Sequence, residues 1–560
     1  MTETSEIQAS DEQAPSLRPE EASSQETAAA IIGALAVAGT QLLFGVPGGG
    51  ANLDIVGAAA DAGMEFLLTH DETAAAIMAA TYADLTGAPG AMVATRGPGL
   101  TSAATGIAHA LLDRLPLVAI VDTVPVGDRD RIGHQRLDQV ALGRSIAKAT
   151  VTVGARHRSV AAMHAVALAT APPMGPVVVN CDPGADELPN AAVEPIPETG
   201  DLGLLREALS AARRPVVMLG LGALSHASAV RESLVGSGLP VLQTYRVRGI
   251  IPDSSAEAAG LLTGGTMESP LLRRADLVVG LGVDPVELIP ARWDYAARSL
   301  LVSETPTEAE SYFAPGIELI AHLPRALALL REHAGRYNWP PEAGRAAKQA
   351  TVELLRQAPP AIAGKLTPQD VVATVRSATS RDAIATVDAG AHMLVAMPLW
   401  EVDEPHLLLI SSGLATMGFA LPAAIAAALC HPETPVVAFT GDGGLGMTLM
   451  EIETAVRRRL RVIVIVFNDT TLSLIKIKQR ADRQGGDWAV SYGPSDFAGA
   501  ALAMGAAGER VVDVSGLAAA VREALGREGP TVIDVPIDPT DYPAILDLTR
   551  GDSGRLASRH

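Results

Sequence analysis

The sequence predicts an α/β protein of three doubly wound parallel-sheet domains, and three observations predict it. Short β-rich runs alternate with Ala-rich helical runs along most of the chain, as expected of parallel strands joined by right-handed helical crossovers. At 560 residues the chain exceeds one ordinary core, because domains hold ~100 to 200 residues each. Hydrophobic residues make up 48% and charged residues 19%, so there is ample apolar surface to bury and no general composition of disorder.

Residues 1–25 are acidic and Ser-rich, without a basic segment ahead of an apolar one. They read as a disordered tail, not as a secretory signal. The first domain spans 26–186, with strands expected in QLLFG, EFLLT, AMVAT and PLVAIVD and helices in TAAAIMAATYADL and SAATGIAHALLD. A Pro- and Glu-rich passage then reads as a linker. The middle domain, 202–336, has its own strands in PVVMLGLG, LPVLQTY and ADLVVGLGV, and a polar passage from Tyr337 to Arg345 reads as a second connection. The third domain, 366–545, has strands in DAIATVD, HLLLIS, PVVAFTGDG, RVIVIVFND and PTVIDVPI. Residues 91–122 and 435–469 share one grammar: strand, Gly-x-Gly turn, helix, basic-then-Leu link, strand, closing Asp. Two related sheets of this kind can present complementary halves of one site, within a chain or across a dimer.

Composition excludes several functions. A formal charge of -20 opposes attraction to nucleic acid or to an anionic membrane, both polyanions. The two cysteines, Cys181 and Cys430, lie outside any paired-ligand spacing, which argues against disulfides and structural zinc and for a reducing, cytoplasmic setting. The run Pro405 to Pro432 carries no formally charged side chain and is long enough to cross a bilayer. Its Ser-Ser-Gly and Gly-Phe-Ala-Leu-Pro interruptions divide it into a strand and a helix of a buried α/β core.

Chemistry concentrates at Gly441-Asp442-Gly443-Gly444, between the strand VVAFT and a helix. A glycine turn of this kind lets backbone N–H groups approach a phosphate at the positive end of a helix. Asp442 would repel that phosphate unless a cation lay between them, and a hard cation takes carboxylate, amide and carbonyl oxygens. Asn468 ends the next strand, where it reaches the same sheet edge. Alone, each residue reads as a cap or turn former; together they fit one octahedral ion.

GDG followed after a helix and a strand by Asn resembles the signature of thiamine-diphosphate enzymes, and the order of features is similar to the acetolactate synthase and benzoylformate decarboxylase branch. The resemblance covers nearly the whole chain after the tail. It implies magnesium held by Asp442, Asn468 and the carbonyl of Thr470, with Gly443 and Gly444 offering N–H groups to the diphosphate. DAGAH at 388–392 resembles the family's Asp-x-Gly-Gln-His stretch and makes His392 a diphosphate contact, with Ala391 in place of Gln. SSGLATMGFALPAA at 411–424 implies that Met417 bends the cofactor and that the carbonyl of Ala415, where the family has Gly, accepts from the pyrimidine amino group. EFLLTHDETAAAIMAATYADLTG at 65–87 resembles the segment that carries the family's catalytic glutamate. Counting back from Tyr82 gives Glu72, whose carboxyl would bind the pyrimidine ring nitrogen and promote loss of the thiazolium C2 proton.

Gly48, in GVPGGG, matches the turn near the thiazolium, and Gly97-Pro98-Gly99 matches a second family turn. Gln135 keeps the Gln of the family's Phe-Gln-Glu, between His134 and Arg136. His70, His109 and His134 are candidate proton shuttles. DTTLSLIKIKQR at 469–480 reads as a strand-to-helix lid with Leu472, Leu474 and Ile475 facing substrate and Lys476 and Lys478 available to a carboxylate. In the middle domain GLGAL lacks the third glycine of a dinucleotide turn, and no acidic residue ends the next strand, so NAD is not expected. DPVELIPARW replaces the family's flavin-binding stretch, so no FAD is expected. The resemblance implies a 2-oxo acid substrate, decarboxylation followed by carboligation, and a homodimer or homotetramer with sites at the subunit interface. Simple decarboxylation, carbon-carbon lysis and non-catalytic cofactor binding remain open from the sequence.

Overall fold

The computed structural model describes residues 19–182, 184–185, 200–288, 293–307, 316–357, 362, 364–479 and 486–551. Three six-stranded parallel sheets follow one another along the chain. The first comprises β1 (Leu42–Val46), β2 (Glu65–Leu68), β3 (Gly90–Ala94), β4 (Leu117–Asp122), β5 (Ala149–Val153) and β6 (Val177–Cys181). The second holds β7 (Pro215–Leu219), β8 (Val241–Gln243), β9 (Ala258–Leu261), β10 (Leu277–Leu281), β11 (Arg298–Ser303) and β12 (Ile317–Ile320). The third holds β13 (Ile384–Val387), β14 (Leu408–Ile410), β15 (Val436–Gly441), β16 (Val462–Asn468), β17 (Ala507–Arg510) and β18 (Thr531–Pro536).

The strand orders are β2-β1-β3-β4-β6-β5 and β14-β13-β15-β16-β18-β17 for the first and third sheets. Counted from each sheet's own first strand, these are the same order, which gives topological substance to the internal similarity. The middle order, β12-β11-β10-β7-β8-β9, counted from that sheet's own first strand and read from the β9 edge, is 3-2-1-4-5-6, the arrangement of dinucleotide folds. Central strands such as β4, β13 and β16 are buried along their whole length, as their continuous Val/Ile/Leu/Ala runs require of sheets covered on both faces.

First and third units are packed together within one chain. The helix Glu72–Thr86, whose ten positions after Thr73 are all buried, and the Ala-rich helix Ala420–Cys430 share one apolar core. Small side chains on both let the helices approach closely, and the pair is joined by Phe419, Leu421 and Ile425. The segment from Pro405 to Pro432 divides as its interruptions predict, into β14 and this helix. Among the described residues no helix is long and apolar enough to cross a membrane.

Some boundaries differ from expectation. A helix starts at Pro19, inside the segment read as tail, because Ser24 donates to Asp54 (2.5 Å) and Ala28, Ile31, Ile32 and Leu35 are buried against the helices of the first unit. The predicted linker after Asp186 falls largely outside the described residues. The passage Tyr337 to Arg345 is partly helical, since Ala343–Arg356 begins within it. Trp339 is buried there and donates from Nε1 to the carbonyl of Pro215 (2.7 Å). The lid keeps only its helix, Ser473–Lys478; its strand is reduced to a bridge between Thr471 and Ser491.

Candidate active site

In the third sheet, connections leave β13 and β15 in opposite directions, so a crevice opens at the carboxyl ends of these neighbours, the place where open α/β sheets bind ligands. The cleft there is lined by 389–392, Met417, Gly441–Gly444, Phe467, Asp469, Thr471–Ile475, Ile537 and Tyr542. β15 and β16 pair Gly441 with Phe467, so Asp442 and Asn468 leave adjacent strand ends side by side.

Asp442 is buried. Its Oδ1 accepts the N–H of Gly443 (2.6 Å), while Oδ2 is buried without a hydrogen-bond partner. Burial and then the neighbouring Asp469 carboxylate push the Asp442 carboxyl up to about 6, against backbone N–H donation led by Gly443 that pulls it down. A buried oxygen without a donor, next to a second carboxylate, is the environment a cation relieves. Asn468, also buried, donates from Nδ2 to Asp534 (2.8 Å), which leaves its carbonyl oxygen as the group free to act as a ligand. Thr470 has φ 60, a left-handed conformation that a β-branched residue rarely adopts. Its carbonyl accepts from the N–H of Tyr492 (2.7 Å), using one of two lone pairs. Among the described residues no group of three or more His, Cys, Asp or Glu is placed to hold an ion. A hard cation here would combine carboxylate with amide and carbonyl oxygens, a set that Asp442, Asn468 and Thr470 could offer.

The glycine turn is shaped by its neighbours. A Cβ at Gly444 would run into the Asp388 carboxylate, and one at Gly443 would press on Leu472 (3.0 Å) and Met417 Cε (3.1 Å). Asp388 accepts from Thr440 Oγ1 and from the N–H of Ala420, both at 2.6 Å, and so joins the ends of β13 and β15 to the start of the helix Ala420–Cys430. Sequence reading passed over this buried carboxylate, although it opens the DAGAH segment. The N–H of Gly443 is taken by Asp442 itself, so only a rearrangement on binding frees it for a phosphate.

His392 is buried, stacked on Phe467 (5.2 Å, 21° between planes), and its Nε2 has no partner. Burial lowers its pKa to about 4. Ala415 is exposed, with φ 52, the conformation that suits the glycine found there in the family.

The first-unit candidates are elsewhere. None of the cleft-lining residues comes from the first sheet. Glu72, half-buried, opens the helix Glu72–Thr86, whose N-cap Asp71 accepts from Ala74 N–H (3.0 Å). The segment just before it is held by the third unit: Glu451 accepts from the N–H of His70 (2.9 Å) and Asp71 (3.2 Å). Gly48 lies against Thr95, where no Cβ fits, and its N–H donates to Asn52 (3.0 Å). Gln135 is exposed at φ 55, and its backbone packs on Gly97. That loop is anchored by a residue the sequence did not single out: buried Gln139 accepts from Gly97 N–H (3.2 Å) and donates to Asn180 (2.9 Å).

The remaining histidines differ from one another. His134 is exposed, and His70 pairs with Glu453 (2.8 Å). His109 is buried against Asp113 (3.0 Å) and Ser411 (3.0 Å), an internal setting that does not suit a solvent-side shuttle. In the middle unit, Glu287 Oε2 accepts the N–H of Leu221 (2.7 Å) in the GLGAL turn, and Oε1 accepts from Thr244. A carboxylate of the chain itself thus takes the donor a dinucleotide phosphate would use.

Fold and cleft define an enzyme that holds a diphosphate-bearing cofactor at the switch point of a parallel sheet. The chain belongs to the thiamine pyrophosphate (thiamine diphosphate) enzyme family. It matches the N-terminal TPP binding domain at 25–142, the central domain at 204–330 and the C-terminal TPP binding domain at 388–535. It is 30% identical over 544 residues to an acetolactate synthase of Bacillus subtilis (strain 168), covering 91% of this chain and 93% of that one. To the catabolic acetolactate synthase of Raoultella terrigena it is 29% identical over 553 residues, covering 92% and 96%. The solved structure of a Rhodococcus jostii RHA1 thiamine diphosphate-dependent 4-hydroxybenzoylformate decarboxylase has the same fold, with a TM-score of 0.77 and 21% identity over 92% of this chain and 99% of that one. The protein is thus a thiamine-pyrophosphate-dependent enzyme related to the acetolactate synthases.

Proposed function

We propose that this enzyme decarboxylates a 2-oxo acid and joins the acyl unit to a second carbonyl compound, as acetolactate synthases do, with magnesium as its divalent ion. The unpartnered buried oxygen of Asp442, at the strand end next to the one that carries Asn468, supports the metal part of this reading, and the likeness to acetolactate synthases over more than nine-tenths of the chain supports the reaction. Asp442, Asn468 and the Thr470 carbonyl hold the ion, and the ion offsets the charge between Asp442 and the diphosphate. His392 and the N–H of Gly444 would meet the phosphate oxygens, joined by the N–H of Gly443 once Asp442 releases it, and Met417 would set the angle between the two rings. When bound, the cofactor would supply a nucleophilic thiazolium carbon for the 2-oxo carbon and a ring that takes up the electron pair left behind as carbon dioxide departs.

Glu72 of one subunit serves the cleft of another, which fits a homodimer or a larger assembly of dimers. Its carboxyl would hydrogen-bond the pyrimidine ring nitrogen and so favour loss of the thiazolium C2 proton. Gln135 faces the substrate from the same side, under the apolar lid of Leu472, Leu474 and Ile475. The middle unit acts as scaffold without flavin, since Glu287 occupies the N–H of its glycine turn. Two free thiols, one buried and one half-buried, fit a reducing cytoplasm. The His134 and Arg136 flanks of Gln135 differ from the acetolactate synthase pattern and point to a different substrate preference; decarboxylation without carboligation is the second reading.

A screen of pyruvate, aromatic and acidic 2-oxo acids with thiamine diphosphate and magnesium, reading carbon dioxide and coupled products, tests the reaction. Release of carbon dioxide without a coupled product would select the second reading. Glu72→Gln is expected to abolish turnover while metal-dependent cofactor binding stays near wild type in calorimetry. Should the wild-type protein bind cofactor yet show no exchange of the C2 proton, the chain is a cofactor-binding protein without catalysis.

A further inference from the structure

Asn468 presents two chemically opposite ends, an acceptor Oδ1 and a donor Nδ2, and only the oxygen serves a cation. What selects the end lies on the neighbouring strand. β16 pairs with β18, Asn468 opposite Pro536 and Val466 opposite Asp534, so Asp534 points to the same side of the sheet one pleat back. Asp534 is fully buried. Its Oδ1 accepts from Asn468 Nδ2 at 2.8 Å, and its Oδ2 accepts from Arg510 Nη1 at 2.9 Å. The carbonyl of Ser495 draws the same amide nitrogen at 3.4 Å. An ionised carboxylate and a carbonyl are acceptors only, so a flipped Asn468 would set oxygen against two oxygens and lose both bonds.

We propose that Asp534 is a positioning residue of the cation site, fixing the Asn468 amide with its oxygen turned toward the ion. The inference rests on the metal-site reading above and adds to it a residue that touches neither ion nor cofactor. Arg510, whose side chain is half exposed, keeps the second carboxylate oxygen satisfied at the strand edge and does not touch Asn468. Groups that orient metal ligands in this way typically change metal affinity by about 10–100-fold when removed.

The test uses full-length apo protein titrated with Mn2+ in the presence of thiamine diphosphate, with free Mn2+ read by electron paramagnetic resonance and folding checked by circular dichroism. Asp534→Val, whose side chain suits a strand, and Asp534→Ala are expected to weaken Mn2+ binding by about 10–100-fold. Asp534→Asn keeps an acceptor oxygen for Asn468, and Arg510→Met keeps the carboxylate; both are expected to bind close to wild type. A folded Asp534→Val or Asp534→Ala with wild-type affinity overturns the proposal. So does an Asp534→Asn protein that loses as much as Asp534→Val, because charge and not amide orientation would then be at work. Wild-type protein that takes up no Mn2+, or Asn468→Ala that binds as tightly as wild type, sinks the metal-site reading instead.

Discussion

His392 shows how one buried side chain ties stability to pH. Its native pKa is lowered from 6.5 to about 4 by burial, so between those values the unfolded chain binds a proton that the native protein does not. Stability therefore falls as pH drops through that window. The loss approaches roughly 3 kcal/mol, because each tenfold difference in proton affinity between the two states is worth about 1.36 kcal/mol. In urea denaturation of apo protein, the stability difference between wild type and His392→Gln is expected to shrink by that order from pH 6.5 to pH 4; a constant difference would contradict the assignment. Other residues here were legible for a different reason. Gln135, Ala415 and Thr470, all chosen from motifs, have positive φ, a conformation that non-glycine residues hold chiefly where the surroundings demand it. The motif records the demand, even where the residue, as at Ala415, departs from glycine. Asp534 and Asp388 left no such trace, because a lone Asp in a strand or at its end resembles any other, and their partners lie 66 and 52 positions away.

At the scale of elements, the glycine turn, the strand ends and the Ala-rich helices were readable because each is specified within a short stretch. What holds the loop 411–417 was not. The helix Pro98–Leu112 carries His109 in its last turn, with Asp113 one turn on, an ordinary i, i+4 pair in sequence. In the folded chain Asp113 accepts from the N–H of Ser412 (3.1 Å) and Gly413 (2.7 Å) of the third unit. Leu112 leaves no room for a Cβ at Gly413. Burial raises the Asp113 carboxyl, but the His109 ring, then the Arg246 charge and the Gly413 N–H, outweigh it and hold the group below the usual carboxylate range. The pair therefore anchors the loop that carries Ala415 and Met417. Asp113→Ala strands two N–H groups and the imidazole, and is expected to destabilise by about 3–5 kcal/mol, as for other broken buried pairs. Urea denaturation reads that loss, and calorimetry should show weaker thiamine diphosphate binding. Unchanged cofactor affinity in a destabilised variant would mean that the loop holds its shape without the anchor.

For the whole molecule, the repeated strand order of the first and third sheets raises the question of which copies face each other. Within a chain the two units share a core through Glu72–Thr86 and Ala420–Cys430, yet no first-sheet residue reaches the cleft that holds Asp442. Met447 and Met450, just beyond the glycine turn in sequence, are 63% and 52% exposed, large apolar groups that a second copy could cover. In the proposed assembly a second copy would supply both a cover and Glu72, and subunit mixing distinguishes this from a site completed inside one chain. Glu72→Gln and Asp442→Ala proteins are each expected to be inactive. If sites are shared in an isologous dimer, every mixed dimer has one site with both defects and one with neither. Random exchange makes half of the dimers mixed, so activity should return to about a quarter of the wild-type value. A site built within a single chain predicts no recovery at any mixing ratio, because every chain then carries a defect in its own site. Recovery that rises with time of exchange, and disappears when the subunits are cross-linked before mixing, is the outcome expected of the proposed shared site.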